Sequence, residues 1–328
     1  MKAADGVSSL YRLHETAEPT RPLNYSDFFQ PPLAKDSELI YLSAPPNSGR
    51  LAAIFSNLGR MAASHDRFFA TAPSLHVVIA RYLGIVRNRY ILLCWASAHR
   101  SPIRRWLFAR QLGFARRILV NDSRTREELI RDWAVPEAKI TWLPFGIDAD
   151  YYIPAEVSRR THLLVPGDAV RDEEFVIELA RAGLGSVLRG IKDAGIRDFF
   201  AGRPDAGAVD VRWLRPFSEI RTNYQNAKAV IIPVLNDREP SGLTAMLEAM
   251  ACGRPCIINE GRTTLDYIED GVTGFILKGP RSGWLDQVRE ILADEDRLER
   301  VGKAARARVE SHHAIGVVLP HWNRALQD

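Results

Sequence analysis

Val234 to Ile258 read V-L-N-D-R-E-P-S-G-L-T-A-M-L-E-A-M-A-C-G-R-P-C-I-I. The order of residue types spells strand end, loop, helix, stop and strand. Ala229 to Val234 is a short apolar strand, and Asn236 to Ser241 is a polar loop with a proline. Ser241-Gly242 opens a helix that runs to about Cys252. Gly253 stops it, and Pro255 leads into a second strand from Cys256 to Ile258. Two carboxylates, Glu239 and Glu248, bracket the helix start. First-turn N–H groups lack intrahelical acceptors and lie at the positive end of the helix dipole. Ser241, Gly242, Leu243 and Thr244 therefore suit an anion such as phosphate, and Gly242 lets the backbone come close to it. Each carboxylate also has an ordinary reading. Glu248 would be a solvated edge or an ion-pair partner, and Glu239 a turn residue before proline.

Outward from this stretch, strands and helices alternate. In the first half, strands are expected at Glu38–Ser43, Arg67–Thr71, Tyr90–Trp95 and Arg117–Asn121. Helices are expected at Leu51–Ala63, Pro73–Leu83 and Pro102–Phe114, and from an Asp122-Ser123 cap through Asp132. In the second half, Thr161–Pro166 is a strand running into the loop Gly167–Arg171. Arg197–Gly202 and Val209–Leu214 read as two further strands, and Ser218 as the N-cap of a helix. Helices close the chain at Pro280–Ala293, Asp296–Ser311 and Ile315–Leu326. This order predicts α/β architecture with parallel sheets. The first strand–helix loop of such a sheet is a ligand position, which singles out Gly167 and Arg171. Arg171 reads either as a phosphate-binding guanidinium or as a solvated residue at a helix start.

A length of 328 residues with 46% hydrophobic and 26% charged residues suits two globular domains. Apolar runs of membrane-spanning length are absent from the sequence, as is an N-terminal signal-peptide core. Cys94, Cys252 and Cys256 are too few and too uneven for a disulfide framework, and their spacing is poor for zinc, which points to buried thiols in a reducing cytoplasm. The absence of a G-x-G-x-x-G loop argues against a nicotinamide dehydrogenase. Charge is segregated. Arg67 to Asn121 holds ten arginines and no Asp, Glu or Lys. This field suits an anionic membrane surface or a phosphate-bearing acceptor, and no nucleic-acid motif accompanies it. Within it, Ile103, Trp106, Leu107 and Phe114 share one face of a helix, while Phe108 and Leu112 lie opposite, near Arg104 and Arg105. Two apolar faces with arginine between them fit docking on a membrane, or core on one side and a neighbouring helix on the other.

Glu239-Pro240-Ser241-Gly242-Leu243, followed by Leu247-Glu248-Ala249-Met250-Ala251 and Gly253-Arg254-Pro255, resembles the nucleotide-sugar motif of retaining glycosyltransferases of family 4. Four more segments run in that family's order: Ile118–Ser123, Thr125–Leu129, Val135–Ile140 and Leu143–Asp148. Asp266–Leu277 resembles its last strand entry. The resemblance covers roughly residues 115–328. It implies the GT-B fold, with two Rossmann-like domains facing a cleft and a C-terminal helix crossing back. The expected layout is an acceptor-binding domain over 1–153, a linker at 154–160, a nucleotide-sugar domain over 161–312 and a terminal helix at 313–328. It further implies that Glu239 positions the donor sugar, that Glu248 holds ribose hydroxyls, and that Gly167, Arg171 and the helix start hold the diphosphate. Phe217 would lie beside the nucleobase. A catalytic histidine is a family feature; its place is taken by Trp95, and His99, four residues on, is the candidate. Two departures are visible. Eight residues separate Glu239 from Glu248 where the family has seven, and Asp168 stands at a usual arginine position. The implied activity is metal-independent, retaining transfer from a UDP- or GDP-sugar with no other cofactor. The place of action would be the cytoplasm, at the inner membrane face if the arginine segment binds lipid. The other readings are a catalytically inactive GT-B binding partner in glycan assembly, and an isomerase or phosphorylase using the same fold.

Overall fold

The computed structural model describes residues 39–41, 67–71, 75–85, 90–94, 101–156, 160, 162–167, 170–191, 193–214, 217–235 and 241–327. The lead-in over residues 1–36, the expected helix Leu51–Ala63, and the candidates His99, Glu239 and Asp168 lie outside these residues. The chain divides into two compact units. Among the described residues the first comprises 39–144 with 319–327, and the second 145–318.

The first unit is built on a parallel sheet of β1 (Leu39–Tyr41), β2 (Arg67–Thr71), β3 (Tyr90–Cys94), β4 (Arg117–Val120) and β5 (Ile140–Trp142), in that order. The connecting helices are α1 (Leu75–Tyr82), α2 (Pro102–Phe114) and α3 (Ser123–Trp133). Alternation along the strands sends Leu92, Cys94, Ile118 and Val120 toward these helices, where Val77, Ala80, Phe108, Leu112 and Leu129 complete one core. Asp122 caps α3 by accepting from the Thr125 N–H at 2.6 Å, so the expected cap is in place.

The second unit is a parallel six-stranded sheet in the order β11-β10-β9-β6-β7-β8. Its strands are β6 (His162–Pro166), β7 (Ser186–Ile191), β8 (Val209–Trp213), β9 (Ala227–Ile232), β10 (Cys256–Asn259) and β11 (Phe275–Leu277). The helices are α4 (Glu173–Arg181), α5 (Ala194–Ala201), α6 (Phe217–Asn226), α7 (Leu243–Ala251), α8 (Thr264–Tyr267), α9 (Trp284–Ala293) and α10 (Glu295–His312), and α11 (Ile315–Gln327) ends the chain. Successive strand residues face opposite layers. Leu164, Val230, Ile232 and Ile258 pack with Tyr224 and α7. Leu163, Val165, Ile231 and Ile257 pack with Phe175, Val288 and Ile291. The sheet is therefore doubly wound. Chain order reverses between β6 and β9, where such sheets bind ligands beyond the carboxyl ends of the strands.

Three features differ from the reading of the sequence. Residues 197–202, which read as a strand in the sequence, fall largely in α5 (Ala194–Ala201); the Asp193 carboxylate caps it and Gly202 ends it. The strand β7 was not foreseen, because Arg189 and Gly190 interrupt its apolar run. α6 starts at Phe217, which leaves Ser218 inside the helix rather than at its cap. The border between the units also falls earlier than residue 153. Tyr151 and Tyr152 are fully buried, and the Arg306 guanidinium donates to the carbonyls of Ala149 (3.0 Å), Tyr152 (2.7 Å) and Ala251 (2.8 Å). These bonds fasten residues 149–152 to α7 and α10. At the other end of the chain, residues from Leu319 onward group with the first unit, where the Trp322 indole N–H donates to the Pro144 carbonyl.

Candidate functional site

Gly242 immediately precedes α7 with φ +90, a left-handed conformation that favours glycine. A Cβ there would lie 2.9 Å from Ile232 and 3.5 Å from Val234, so sterics demand glycine as well. The first intrahelical bond of α7 runs from the Met246 N–H to the Gly242 carbonyl. The amides of Leu243, Thr244 and Ala245 thus belong to the open first turn. Leu243 is buried in the core and Thr244 is exposed. Ser241, half-buried, lines a cavity of about 280 Å³ together with Val234, Asn259, Arg262, Thr264 and Trp284. This space opens beyond the carboxyl ends of β9 and β10. The Asn259 side chain shapes its floor by accepting from the Val234 N–H at 2.7 Å and donating to the Val234 carbonyl at 3.2 Å.

The loops after β6 and β9 are stitched together at the switch point. The Asp172 N–H donates to the Pro233 carbonyl at 2.8 Å, and the Leu235 N–H to the Val170 carbonyl at 2.9 Å. Arg171 pairs with Val234 in an antiparallel bridge. Its side chain is buried, which excludes the reading of a solvated helix-start residue. Its Nε donates to the Pro166 carbonyl at 3.1 Å, and the guanidinium lies so close to Gly167 (φ +91) that a Cβ there would sit 2.9 Å from it. Burial, and secondly the neighbouring Arg189 cation, lower the Arg171 pKa to about 10, so it remains charged at neutral pH. Arg189 was not anticipated. It is wholly buried, forms a bidentate pair with Glu173 at 2.8 and 2.6 Å, and donates to the carbonyls of Val165, Gly167 and Gly190. An arginine inside an apolar strand pattern was the available signal for it.

Glu248 is neither a solvated edge nor simply an ion-pair partner. The Tyr152 hydroxyl donates to its Oε1 at 2.8 Å and the Tyr224 hydroxyl to its Oε2 at 2.6 Å. Burial, followed by the Glu248 charge, pushes both tyrosines far above the ordinary phenol range, so they stay protonated and donating. A carboxylate offers about four acceptor sites; two take the tyrosine hydroxyls. Phe217 is partly buried and packs against the core shared by Tyr224 and α7. The structure thus brings Gly167, Arg171, Ser241, Gly242, Leu243 and Thr244 to the carboxyl edge of one sheet, with Glu248 further along α7.

Residues 207–308 match the sequence model of the glycosyl transferases group 1 family. Over this stretch the chain is similar to group 1 glycosyl transferases. The stretch spans β8 to α10 and includes α7 and its glycine start. The match bears out the resemblance drawn from Gly242, Glu248 and Gly253-Arg254-Pro255. D-inositol 3-phosphate glycosyltransferase of Paenarthrobacter aurescens is 29% identical over 226 residues, which is 60% of this chain and 54% of the relative. The protein of that name in Mycolicibacterium smegmatis is 25% identical over 289 residues, 81% of this chain and 64% of the relative. The chain thus spans just over half the length of the first of these relatives. Among solved structures, Anabaena Alr3699/HepE in complex with UDP superposes with a TM-score of 0.73 at 15% identity, over 87% of this chain and 84% of that one. Sucrose-phosphate synthase from Thermosynechococcus elongatus gives 0.71 at 18% identity, over 88% and 82%. The fold is GT-B, as the sequence led us to expect.

Proposed function

We propose that the protein is a retaining glycosyltransferase that moves a sugar from a UDP- or GDP-sugar to a hydroxyl of a glycan, lipid or small-molecule acceptor. The observation that carries this reading is the switch point of the second sheet. A buried, charged Arg171 and a glycine-started helix both contact Val234 there, on a domain similar to group 1 glycosyl transferases. Arg171 keeps its charge at neutral pH, and a guanidinium can hold a phosphate group through two N–H donors. The diphosphate of a nucleotide sugar would take that place, with the N–H groups of Gly242, Leu243 and Thr244 completing its cradle. Glu248, aimed by the two tyrosines, would accept from ribose hydroxyls. Glu239 would orient the sugar, His99 would face it, and Phe217 would lie beside the base. Support for the nucleotide class comes from the GT-B relative whose structures hold UDP and UDP-glucose.

In the reaction, the bond from the sugar C1 to the diphosphate oxygen breaks as the acceptor oxygen bonds to C1 from the same face. The acceptor proton passes to the departing phosphate oxygen. Arg171 and the first-turn amides stabilise the negative charge that grows on the diphosphate. They meet that charge without a metal ion. With all three cysteines buried and none in a disulfide, the reading places the protein in the cytoplasm. The test is a donor panel of UDP- and GDP-sugars, with release of the nucleoside diphosphate as the readout. Turnover with one donor class, lost in Arg171→Met, supports the proposal. Nucleotide binding without any turnover over a broad acceptor set would favour the inactive binding partner.

A further inference from the structure

The arginine-rich segment of the first unit presents a face outside the donor site proposed on the second unit. α2 turns Phe108, Gln111 and Leu112 inward. Of its other apolar side chains, Leu107 and Phe114 are half-buried, while Ile103 is 72% exposed and Trp106 48%. Beside the far end of α2, at the close of α1, Tyr82 is 62% and Leu83 65% exposed. The Tyr82 and Phe114 rings meet edge-on at 6.0 Å, which joins the end of α1 to the end of α2. Basic groups frame the apolar ones. Arg104, Arg105, Arg110 and Arg116 are exposed, and Arg81 lies over the Phe114 ring. Arg110 stacks on Trp106 and Arg105 on Trp133, so these guanidinium groups contact rings rather than carboxylates. The sequence from Arg67 to Asn121 contains no acid to neutralise them. On the adjacent α3, Glu128 pairs with Arg124 and Asp132 with Arg131. No helix among the described residues is long and apolar enough to cross a membrane.

We propose that the outer face of α2, with the end of α1, docks the protein on an anionic lipid surface. Charge complementarity selects this occupant. An isoleucine and a tryptophan, which favour the interfacial layer, are ringed by arginines whose long stems let the guanidinium groups stay among phosphates. The first turn of α2, residues 102–105, is exposed, so Ile103 and Trp106 can enter the headgroup layer while Phe108 and Leu112 keep the helix on its sheet.

The test is co-sedimentation of the full chain with vesicles of phosphatidylcholine alone and of phosphatidylcholine mixed with phosphatidylglycerol, at low and high salt. Binding to the mixed vesicles is expected at low salt, with release at high salt and little binding to the neutral ones. Each arginine near an anionic surface contributes roughly a fivefold change in partition. Arg104→Gln with Arg105→Gln should therefore lose binding by about twenty-five-fold. Ile103→Ser with Trp106→Ser should weaken binding at every salt concentration while the melting temperature is kept. Equal binding to both vesicle types, or wild-type binding by either double variant, would overturn the proposal. So would self-association that the Ile103/Trp106 variant abolishes while neither vesicle binds, since that assigns the face to a second copy. Should a variant lose its fold, the comparison of the two vesicle types on the wild-type chain decides alone.

Discussion

Glu248 shows what a single carboxylate can be asked to do inside a packed layer. A lone Glu amid Ala, Met and Leu on α7 would be costly unless its charge is met by donors. Tyr152 and Tyr224 supply them, at 2.8 and 2.6 Å. Charged hydrogen bonds contribute about 1.5–3 kcal/mol each. Tyr224→Phe keeps the ring and deletes one such bond, so urea unfolding should show a loss of roughly 1.5 kcal/mol; an unchanged midpoint would separate Tyr224 from the stability of the site. Glu248→Ala should weaken nucleotide-sugar binding by roughly ten- to a hundredfold. At this scale the sequence was only partly legible. Glu248 could be singled out from the motif around it. Its partners could not, because Tyr152 is 96 positions away and no local pattern joins the two. Arg171 was legible as a cation near a turn. Its burial follows from the bridge to Val234, a contact between distant loops.

Among the elements, the unit β9–α7–β10 was legible because glycine and proline punctuate it. Gly242 is required by its φ of +90 and by Ile232 pressing on it. Gly242→Ala should cost about 1–3 kcal/mol and reduce anion binding at the helix start, checked by thermal unfolding and phosphate titration; an alanine variant as stable as wild type would contradict the strained start. The other errors lie where local chemistry imitates another element. Arg197–Gly202 reads as a strand in the sequence, but the Asp193 cap and the Gly202 stop enclose a helix whose Phe200 alone is buried. Strand β7 hid behind Arg189, whose charge is met by Glu173 across the layer and by the carbonyls of Val165, Gly167 and Gly190. Arg189→Met leaves Glu173 and three carbonyls without their donor. A loss of about 3–5 kcal/mol is expected in denaturant unfolding. A loss under about 1 kcal/mol would show that this buried pair behaves like a surface one.

For the whole molecule, alternating strand and helix signals were enough to give two α/β units. The fold of the second is fixed by one reversal of strand order. The border between units was not legible, because Pro154 marked a linker while the buried pair Tyr151-Tyr152 already belongs to the second unit. Stability should also carry a pH signature. His313 is buried, faces the Phe145 carbonyl at 3.1 Å, and has its pKa lowered by burial to about 4 from the usual 6.5. His162 is lowered too, again chiefly by burial. Between these values the unfolded chain binds a proton that folded His313 does not. Its contribution is therefore complete above pH 6.5 and is lost as pH falls toward 4. For His313 alone the loss is roughly 3 kcal/mol. Chemical denaturation between pH 7 and 4.5 should show it, and a flat profile would contradict it.

The most direct test of the central claim is calorimetric titration of the full chain with UDP and GDP, repeated on Arg171→Met and Glu248→Ala. One nucleoside diphosphate is expected to bind the wild-type chain, with Arg171→Met losing most of this affinity and Glu248→Ala losing roughly ten- to a hundredfold. Binding that is unaffected by either substitution would contradict the placement of the donor at the switch point, and no binding of either nucleotide would contradict the function itself.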